Sequence, residues 1–167
     1  MQAAPLIVTL EADPESQARF DADRGRWFPS ERNLVPAHVT LYHHLPGDRA
    51  VDVATRLAKV AARPRPAFRV ASVMPLGRGA AYRLDLPAGD TLKREIGAGF
   101  ELTAQDRGGL RAHVTVQNKV SRETATATLE ALRASFAPWD GEAVALRLWW
   151  YRGGPWDAAG RYPFDEA

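Results

Sequence analysis

The chain has 167 residues, of which 46% are hydrophobic, and its formal net charge is only +2. This length and apolar content suit one compact domain with a sizeable core, so we expect residues 1–167 to form a single domain. The absence of cysteine excludes disulfide bonds and thiolate metal sites and fits a reducing compartment, so we expect a cytoplasmic protein. We expect neither a secretion signal nor a membrane span, because the first apolar run lacks a basic flank and no apolar stretch is long enough.

The first half of the chain has the pattern strand, helix, strand, helix, strand. The predicted elements are a strand over 6–12, a helix over 14–28, a loop over 29–36, a strand with His38, a helix over 50–62 and a strand over 68–76. Asp13 is a good helix cap, and Pro14 suits the first helical position. Val53, Leu57 and Val60 give the second helix an apolar face.

The same order returns after the turn Gly77-Arg78-Gly79. The predicted elements are a strand over 81–86, a helix over 89–100, a turn over 106–109, a strand with His113, a helix from Ser121 and Thr124 to Pro138, and a strand over 142–151. His38 and His113 are 75 residues apart, and this matched order indicates one internal duplication. We expect two lobes, approximately 6–77 and 80–152, with 153–167 as an extra strand or ordered tail.

Each half carries the same short motif at the corresponding position. His38-Val39-Thr40-Leu41 and His113-Val114-Thr115-Val116 alternate in the manner of half-buried strands, with histidine and threonine on one face. Residues two apart on a strand face are separated by about 6.5–7 Å, so the two side chains of each motif can reach one tetrahedral anion.

Two opposed motifs of this kind provide the groups needed for in-line displacement at phosphorus. Imidazole titrates near pH 6.5, so near neutral pH one ring can accept a proton while the other donates one. The threonine hydroxyl groups can hydrogen-bond the non-bridging phosphate oxygens. This chemistry requires no metal.

The two motifs within a duplicated layout resemble the 2H phosphoesterase superfamily, in particular its 2'-5' RNA ligase-like and cyclic phosphodiesterase branch. The resemblance covers residues 6–151. It implies an α+β fold that is bilobal, with two mainly antiparallel sheets and flanking helices around a central cleft. It also implies hydrolysis or transesterification of a 2',3'-cyclic or 2'-5' phosphodiester of a nucleotide or RNA end, without a cofactor. The catalytic residues it implies are His38, Thr40, His113 and Thr115.

Other polar and aromatic residues are weaker candidates for the site. By strand alternation, Tyr42 and Gln117 share the catalytic face and are candidates to touch a base or ribose, with simple packing as the alternative. The remaining candidates are Arg111 and Lys119 as phosphate cations or exposed strand ends, and Trp149 or Trp150 as a base-stacking ring or a core residue.

A zinc site is the rival interpretation of the histidines. Alternation directs His43 to the core and His44 to the cleft, and no carboxylate follows His38 before Asp48. We therefore predict no metal site.

Two other functions stay open on the same fold. One is an RNA-binding or RNA-processing module with incidental hydrolysis, although the small net charge argues against a large nucleic-acid footprint. The other is a non-catalytic protein that binds cyclic nucleotides. In each case the expected partner is a nucleotide or RNA terminus, and the expected state is a monomer.

Overall fold

A computed structural model describes residues 3–166, and its elements follow the predicted order. The strands are β1 (Leu6–Ala12), β2 (Val39–Leu45), β3 (Ala67–Pro75), β4 (Ala80–Asp85), β5 (His113–Gln117), β6 (Trp139–Trp150) and β7 (Asp157–Pro163). The α-helices are α1 (Pro14–Trp27), α2 (Ala50–Ala61), α3 (Gly89–Gly97) and α4 (Arg122–Ser135). Met1 and Gln2 of the N-terminal segment and Ala167 of the predicted tail lie outside the described residues. The predicted α+β class is confirmed.

The strands form one connected antiparallel sheet in the order β2-β1-β6-β3-β4-β5, with β7 also paired to β6. The first residues of β6 pair with β3, and its later residues pair with β1 and β7. The long strand β6 therefore joins β1 and β2 to β3, β4 and β5, and the last strand of each half pairs with strands of the other half. The expected extra strand in the tail is present as β7, whereas the division into two lobes stays a prediction.

The residues predicted to cap or begin α1 and α4 form hydrogen bonds at the N-termini of these helices. The Asp13 carboxylate accepts a hydrogen bond from the backbone nitrogen of Ser16 at 2.9 Å, where α1 begins. The Ser121 hydroxyl group accepts one from the backbone nitrogen of Thr124 at 3.1 Å, where α4 begins. Helix α3 is shorter than predicted, because Gly99 takes a φ of 81°, a left-handed conformation that terminates helices.

The first helix of each half packs on the other half. Helix α1 lies against β5, and the Nη1 atom of Arg24 donates to the carbonyl oxygen of Thr115 at 2.9 Å. Helix α3 lies against β2 and α2, and the carbonyl oxygen of Lys93 accepts a hydrogen bond from the Tyr42 hydroxyl group. This exchange holds the two halves together and brings the edge strands β2 and β5 close to each other.

The hydrophobic core is continuous between the halves. Phe20 of α1 is 1% exposed, and its ring centroid lies 5.7 Å from that of Tyr82 and 5.5 Å from that of Trp139. The predicted apolar face of α2 is buried as expected. Burial of one large apolar side chain stabilises a fold by about 1.5–3 kcal/mol, so separating the halves would be costly. In the described part of the chain, no helix has the length and apolar character required to cross a membrane.

Strand β2 contains a β-bulge directly after the motif threonine. Thr40 pairs with Thr9, whereas Tyr42 pairs with Val8, so two residues of β2 advance against one residue of β1. A bulge reverses the alternation of side chains along a strand. Tyr42 is consequently 2% exposed and lies in the core, so its predicted place on the catalytic face is wrong.

The second motif contains a bulge at the equivalent position. Thr115 pairs with Ala81, and Gln117 pairs with Ala80. Gln117 is 2% exposed, and its amide nitrogen donates to the hydroxyl group of Thr128 at 2.7 Å. Its predicted place on the catalytic face is therefore also wrong.

A second irregularity in β2 changes the orientation of the next two histidines. Val8 pairs with Tyr42 and Leu6 pairs with Leu45, so β2 again contains one residue more than β1. His43 and His44 are both exposed. The expectation that His43 faces the core is wrong for this reason.

The buried position of Tyr42 gives a first prediction. Tyr42→Phe removes the hydrogen bond to Lys93 and is expected to lower the free energy of unfolding by about 0.5–1.5 kcal/mol. Catalytic parameters are expected to stay at wild-type values, because the hydroxyl group does not reach the motif face. Urea denaturation measures the first effect. A large rise in KM with unchanged stability would show that Tyr42 contacts substrate after all.

Candidate active site

The backbone before His38 is held by helix α1. The Ala37 nitrogen donates to the Asp21 carboxylate at 2.8 Å, and the Ala37 carbonyl oxygen accepts from the Gln17 amide at 2.7 Å. The Nδ1 atom of His38 lies 2.7 Å from the carbonyl oxygen of Pro36. The main chain directly before His38 is therefore held in place at the beginning of β2.

The ring of His113 has the same arrangement at the first residue of β5. Its Nδ1 atom lies 2.6 Å from the carbonyl oxygen of Arg111, again two residues earlier. The intervening carbonyl group, of Ala112, accepts from the nitrogen of Leu84 on β4 at 2.9 Å. Both motif histidines are thus oriented by the main chain.

These two hydrogen bonds fix the tautomer of each imidazole. A carbonyl oxygen can only accept, so Nδ1 must carry the proton and Nε2 must carry the lone pair of a neutral ring. Among residues 3–166, neither Nε2 atom and neither hydroxyl group of Thr40 or Thr115 has a protein hydrogen-bond partner. Each motif therefore offers one imidazole nitrogen and one hydroxyl group to a ligand.

The environment of His38 keeps its ring neutral. Burial is the main cause that lowers the pKa of His38 to about 4, and the hydrogen bond to Pro36 opposes this effect. The positive charges of Arg24 and His113 lower the pKa further. This electrostatic influence of His113 follows from the close approach of β2 and β5. With this pKa, the His38 ring is neutral at pH 7.

A tryptophan from the tail covers His38. The ring centroid of Trp156 lies 4.8 Å from that of His38 and 6.0 Å from that of Trp149. The indole nitrogen of Trp149 donates to the hydroxyl group of Thr9 at 3.0 Å, which places Trp149 on the same sheet face as Thr40. No local pattern in the sequence connects Trp156 with His38, because their segments meet only through the pairing of β6 with β7.

The other tryptophan considered for stacking faces away from the site. Trp150 pairs with Leu6 of the buried face and lies under the guanidinium group of Arg152, 5.1 Å from its ring centroid. Trp149, which is 8% exposed, is therefore the one of the two that borders the motif face.

Arg24 links the second motif to the loop before the first. It is 5% exposed, its Nη1 atom donates to the Thr115 carbonyl group, and its Nε atom donates to the Asn33 side chain at 2.9 Å in the loop before His38. Burial lowers the pKa of Arg24, but a guanidinium group stays charged in proteins. The sequence contains one signal for this role, since Arg24 lies four residues after the buried Phe20 on the same helix face.

Several weaker candidates have side chains that are exposed or paired with other groups. Arg111 and Lys119 are exposed, and Lys119 follows the end of β5 with a φ of 61°. His43 pairs through Nδ1 with the buried carboxylate of Asp106 at 3.1 Å, and the same carboxylate accepts from the backbone of His43 and His44. In residues 3–166, no three histidine, aspartate or glutamate side chains lie together as metal ligands.

Comparisons with known proteins identify the family. The family model of the 2'-5' RNA ligase superfamily matches residues 12–155. No curated protein matches the chain. Among solved structures, LigT of E. coli in complex with 3'-AMP is similar over 98% of this chain and 99% of its own, with 14% identity and a TM-score of 0.63.

A second solved structure gives the same result. TT0787 of Thermus thermophilus is similar over 96% of this chain and 97% of its own, with 13% identity and a TM-score of 0.66. At such low identity, the likeness to both structures shows a common fold. The family model spans most of the chain, so this protein belongs to the 2'-5' RNA ligase superfamily, a group of 2H phosphoesterases, as its two motifs predicted.

Proposed function

We propose that this protein is a metal-independent phosphodiesterase that hydrolyses or transesterifies a 2',3'-cyclic or 2'-5' phosphodiester of a nucleotide or RNA end. The observation that carries the proposal is the matched pair of hydrogen bonds from Nδ1 to a main-chain carbonyl group in His38 and His113. These bonds leave both Nε2 atoms for the substrate. The close approach of β2 and β5 supports their action on one phosphate group.

In this mechanism His38 is the general base and His113 is the general acid. The Nε2 atom of His38 takes a proton from the attacking water or hydroxyl group as its oxygen bonds to phosphorus. The bond from phosphorus to the leaving ribose oxygen breaks, and the proton on Nε2 of His113 passes to that oxygen. The hydroxyl groups of Thr40 and Thr115 donate to the non-bridging oxygens, where negative charge increases in the transition state.

The low pKa of His38 favours this division of roles. A general base must be neutral before the reaction, and burial together with the charge of Arg24 holds His38 in that form. Nucleotides are also ligands in the structures of E. coli LigT with 3'-AMP and with ATP. This likeness supports a nucleotide as the ligand class of the present site.

The proposal predicts turnover without an added metal. Purified protein incubated with 2',3'-cyclic nucleotides, 2'-5' dinucleotides and RNA ends with a cyclic phosphate is expected to open at least one of them. Dialysis against a chelator is expected to leave the rate unchanged, since the mechanism uses only imidazole and hydroxyl groups. Loss of turnover that zinc or manganese restores would contradict this mechanism, and binding without turnover would favour a non-catalytic nucleotide-binding protein.

The histidine pair predicts a bell-shaped dependence of kcat/KM on pH. Its acid limb reports protonation of His38 in the free enzyme and is expected well below pH 6.5, because the pKa of His38 is lowered to about 4. His38→Ala and His113→Ala are each expected to lower kcat/KM by about a hundred-fold or more. The double variant is expected to be little worse than the poorer single variant, since both groups act in one transition state.

A control is needed on the acid side of this profile. The pKa of His38 is lower in the folded state than its ordinary value, so protonation below about pH 6.5 also favours unfolding. Circular dichroism at each pH separates loss of structure from loss of catalysis. A flat pH profile in folded protein, or near-full activity in either alanine variant, would contradict paired-histidine catalysis.

The placement of Arg24 yields a separate prediction. Arg24→Gln removes a positive charge near His38, so the pKa of His38 and the acid limb of kcat/KM are expected to move to higher pH. Arg24→Lys keeps the charge and is expected to keep the acid limb near its wild-type position. NMR titration of the His38 ring measures the pKa directly. An unchanged His38 titration in folded Arg24→Gln would show that Arg24 only supports the fold.

A further inference from the structure

A row of directly paired residues extends from the first motif across the sheet. Thr40 pairs with Thr9, Thr9 pairs with Arg147, and Arg147 pairs with Arg161. Directly opposed residues of antiparallel strands share one face, so both arginines lie on the face of Thr40. Adjacent strands are about 4.8 Å apart, which places the backbone of Arg147 about 10 Å from that of Thr40. The arginines therefore lie beside the proposed phosphate site and not within it.

A cavity of about 400 Å³ connects His38 with these arginines. Its lining includes His38, both arginines, Thr9 and Trp149. This volume falls within the range of about 300–1,000 Å³ typical of small-molecule sites. A ligand that reaches His38 can thus extend along the sheet to the arginines without leaving the protein surface.

One carboxylate orients both guanidinium groups. Glu11 accepts from Nη1 of Arg147 at 3.1 Å and from Nη2 of Arg161 at 2.6 Å. The hydrogen bond from Arg161 is the largest cause that lowers the pKa of Glu11, so this carboxylate is ionised at neutral pH. Two guanidinium groups and one carboxylate leave a net charge of +1 in the cluster.

The cluster keeps donors for an additional anion. In the described part of the chain, Nη2 of Arg147 and Nη1 of Arg161 have no protein partner, and Nε of Arg147 is buried without one. The guanidinium group of Arg147 lies over the Trp149 ring, 4.6 Å from its centroid, which restricts its orientation. The other carboxylate of the cavity, Asp21, already accepts from the Ala37 nitrogen and the Gln17 amide.

We propose that Arg147 and Arg161 form a second anion site, which binds the phosphate on the 5' side of the nucleotide whose cyclic phosphate lies between the two motifs. This inference rests on the proposed function. Guanidinium groups oriented by a carboxylate suit phosphate oxygens, which accept several N–H donors at once. The preferred substrate is then a nucleotide with a 5'-phosphate or an RNA end, and not a cyclic mononucleoside phosphate that lacks one.

Three substrates test this preference in the full-length protein. They are adenosine 2',3'-cyclic phosphate, its 5'-phosphorylated form, and a dinucleotide that ends in a 2',3'-cyclic phosphate. The wild-type kcat/KM is expected to be about tenfold higher for at least one phosphorylated substrate than for the first, the effect of one charge-assisted hydrogen bond. If kcat/KM is higher only for the 5'-phosphorylated mononucleotide, the arginines bind a phosphate monoester. If kcat/KM is higher for the dinucleotide, the arginines bind an internucleotide phosphate.

Arg161→Gln is expected to reduce the ratio of kcat/KM values, phosphorylated over unphosphorylated substrate, to about one. Arg161→Lys keeps a charge without the planar donors and is expected to give an intermediate preference. The matched control is Arg49→Gln, since the side chains of Arg49 and Arg161 are both 49% exposed and each pairs with one carboxylate. Arg49 lies before α2, and its replacement is expected to leave the preference at the wild-type value.

Direct binding separates this inference from the proposed function. Calorimetric titration with adenosine 5'-monophosphate requires no turnover, and Arg161→Gln is expected to weaken the affinity about tenfold while Arg49→Gln does not. If this dependence is found and no cyclic phosphate is opened, the anion site stands and the proposed function fails. If cyclic phosphates are opened without preference and both variants bind the monophosphate equally, the anion site is overturned and the phosphodiesterase stands.

Discussion

The hydrogen bond from each motif imidazole to the carbonyl group two residues earlier is the constraint on which the site depends. It fixes one tautomer and leaves Nε2 as the only ring nitrogen that can exchange a proton with a ligand. The bond exists only if that carbonyl group turns towards the ring, and this requires a fixed backbone. In the first motif Gln17 and Asp21 hold the adjacent peptide group, and in the second motif the pairing with β4 holds it.

The same requirement gives a reason for the exchange of helices between the halves. Helix α1 holds the peptide before His38 and also donates, through Arg24, to the carbonyl group of Thr115 in the other motif. One helix therefore sets the position of both motifs, and α3 packs on β2 in the reciprocal arrangement. Two catalytic groups that act on one phosphorus atom must keep a constant separation, because small displacements are costly in rate. Packing of each helix across the halves supplies that constraint.

The sequence predicted the order of the elements and the strands that carry the motifs, since these depend on local periodicity and caps. It failed where the sheet contains bulges. The alternation of side chains between the two sheet faces holds as far as Thr40 and Thr115. The bulge that follows each threonine reverses it, so Tyr42 and Gln117 lie in the core. A bulge is set by pairing with a distant strand and has no reliable local pattern. Trp156 was missed for a related reason, because only the pairing of β7 brings it to His38.

Duplication alone would give two equivalent imidazoles, and equivalence is unfavourable for acid–base catalysis. If both rings had the same pKa, no more than about a quarter of the molecules would hold the required combination of neutral base and protonated acid at any pH. The surroundings of His38 depart from this symmetry. Trp156 covers His38, and the charge of Arg24 adds to the effect of burial on its pKa. His38 and the two residues before it, Pro36 and Ala37, also border the cavity that leads to Arg147 and Arg161. The sheet face formed by β2, β1 and β6 would therefore also hold the part of the substrate beyond the reacting phosphate.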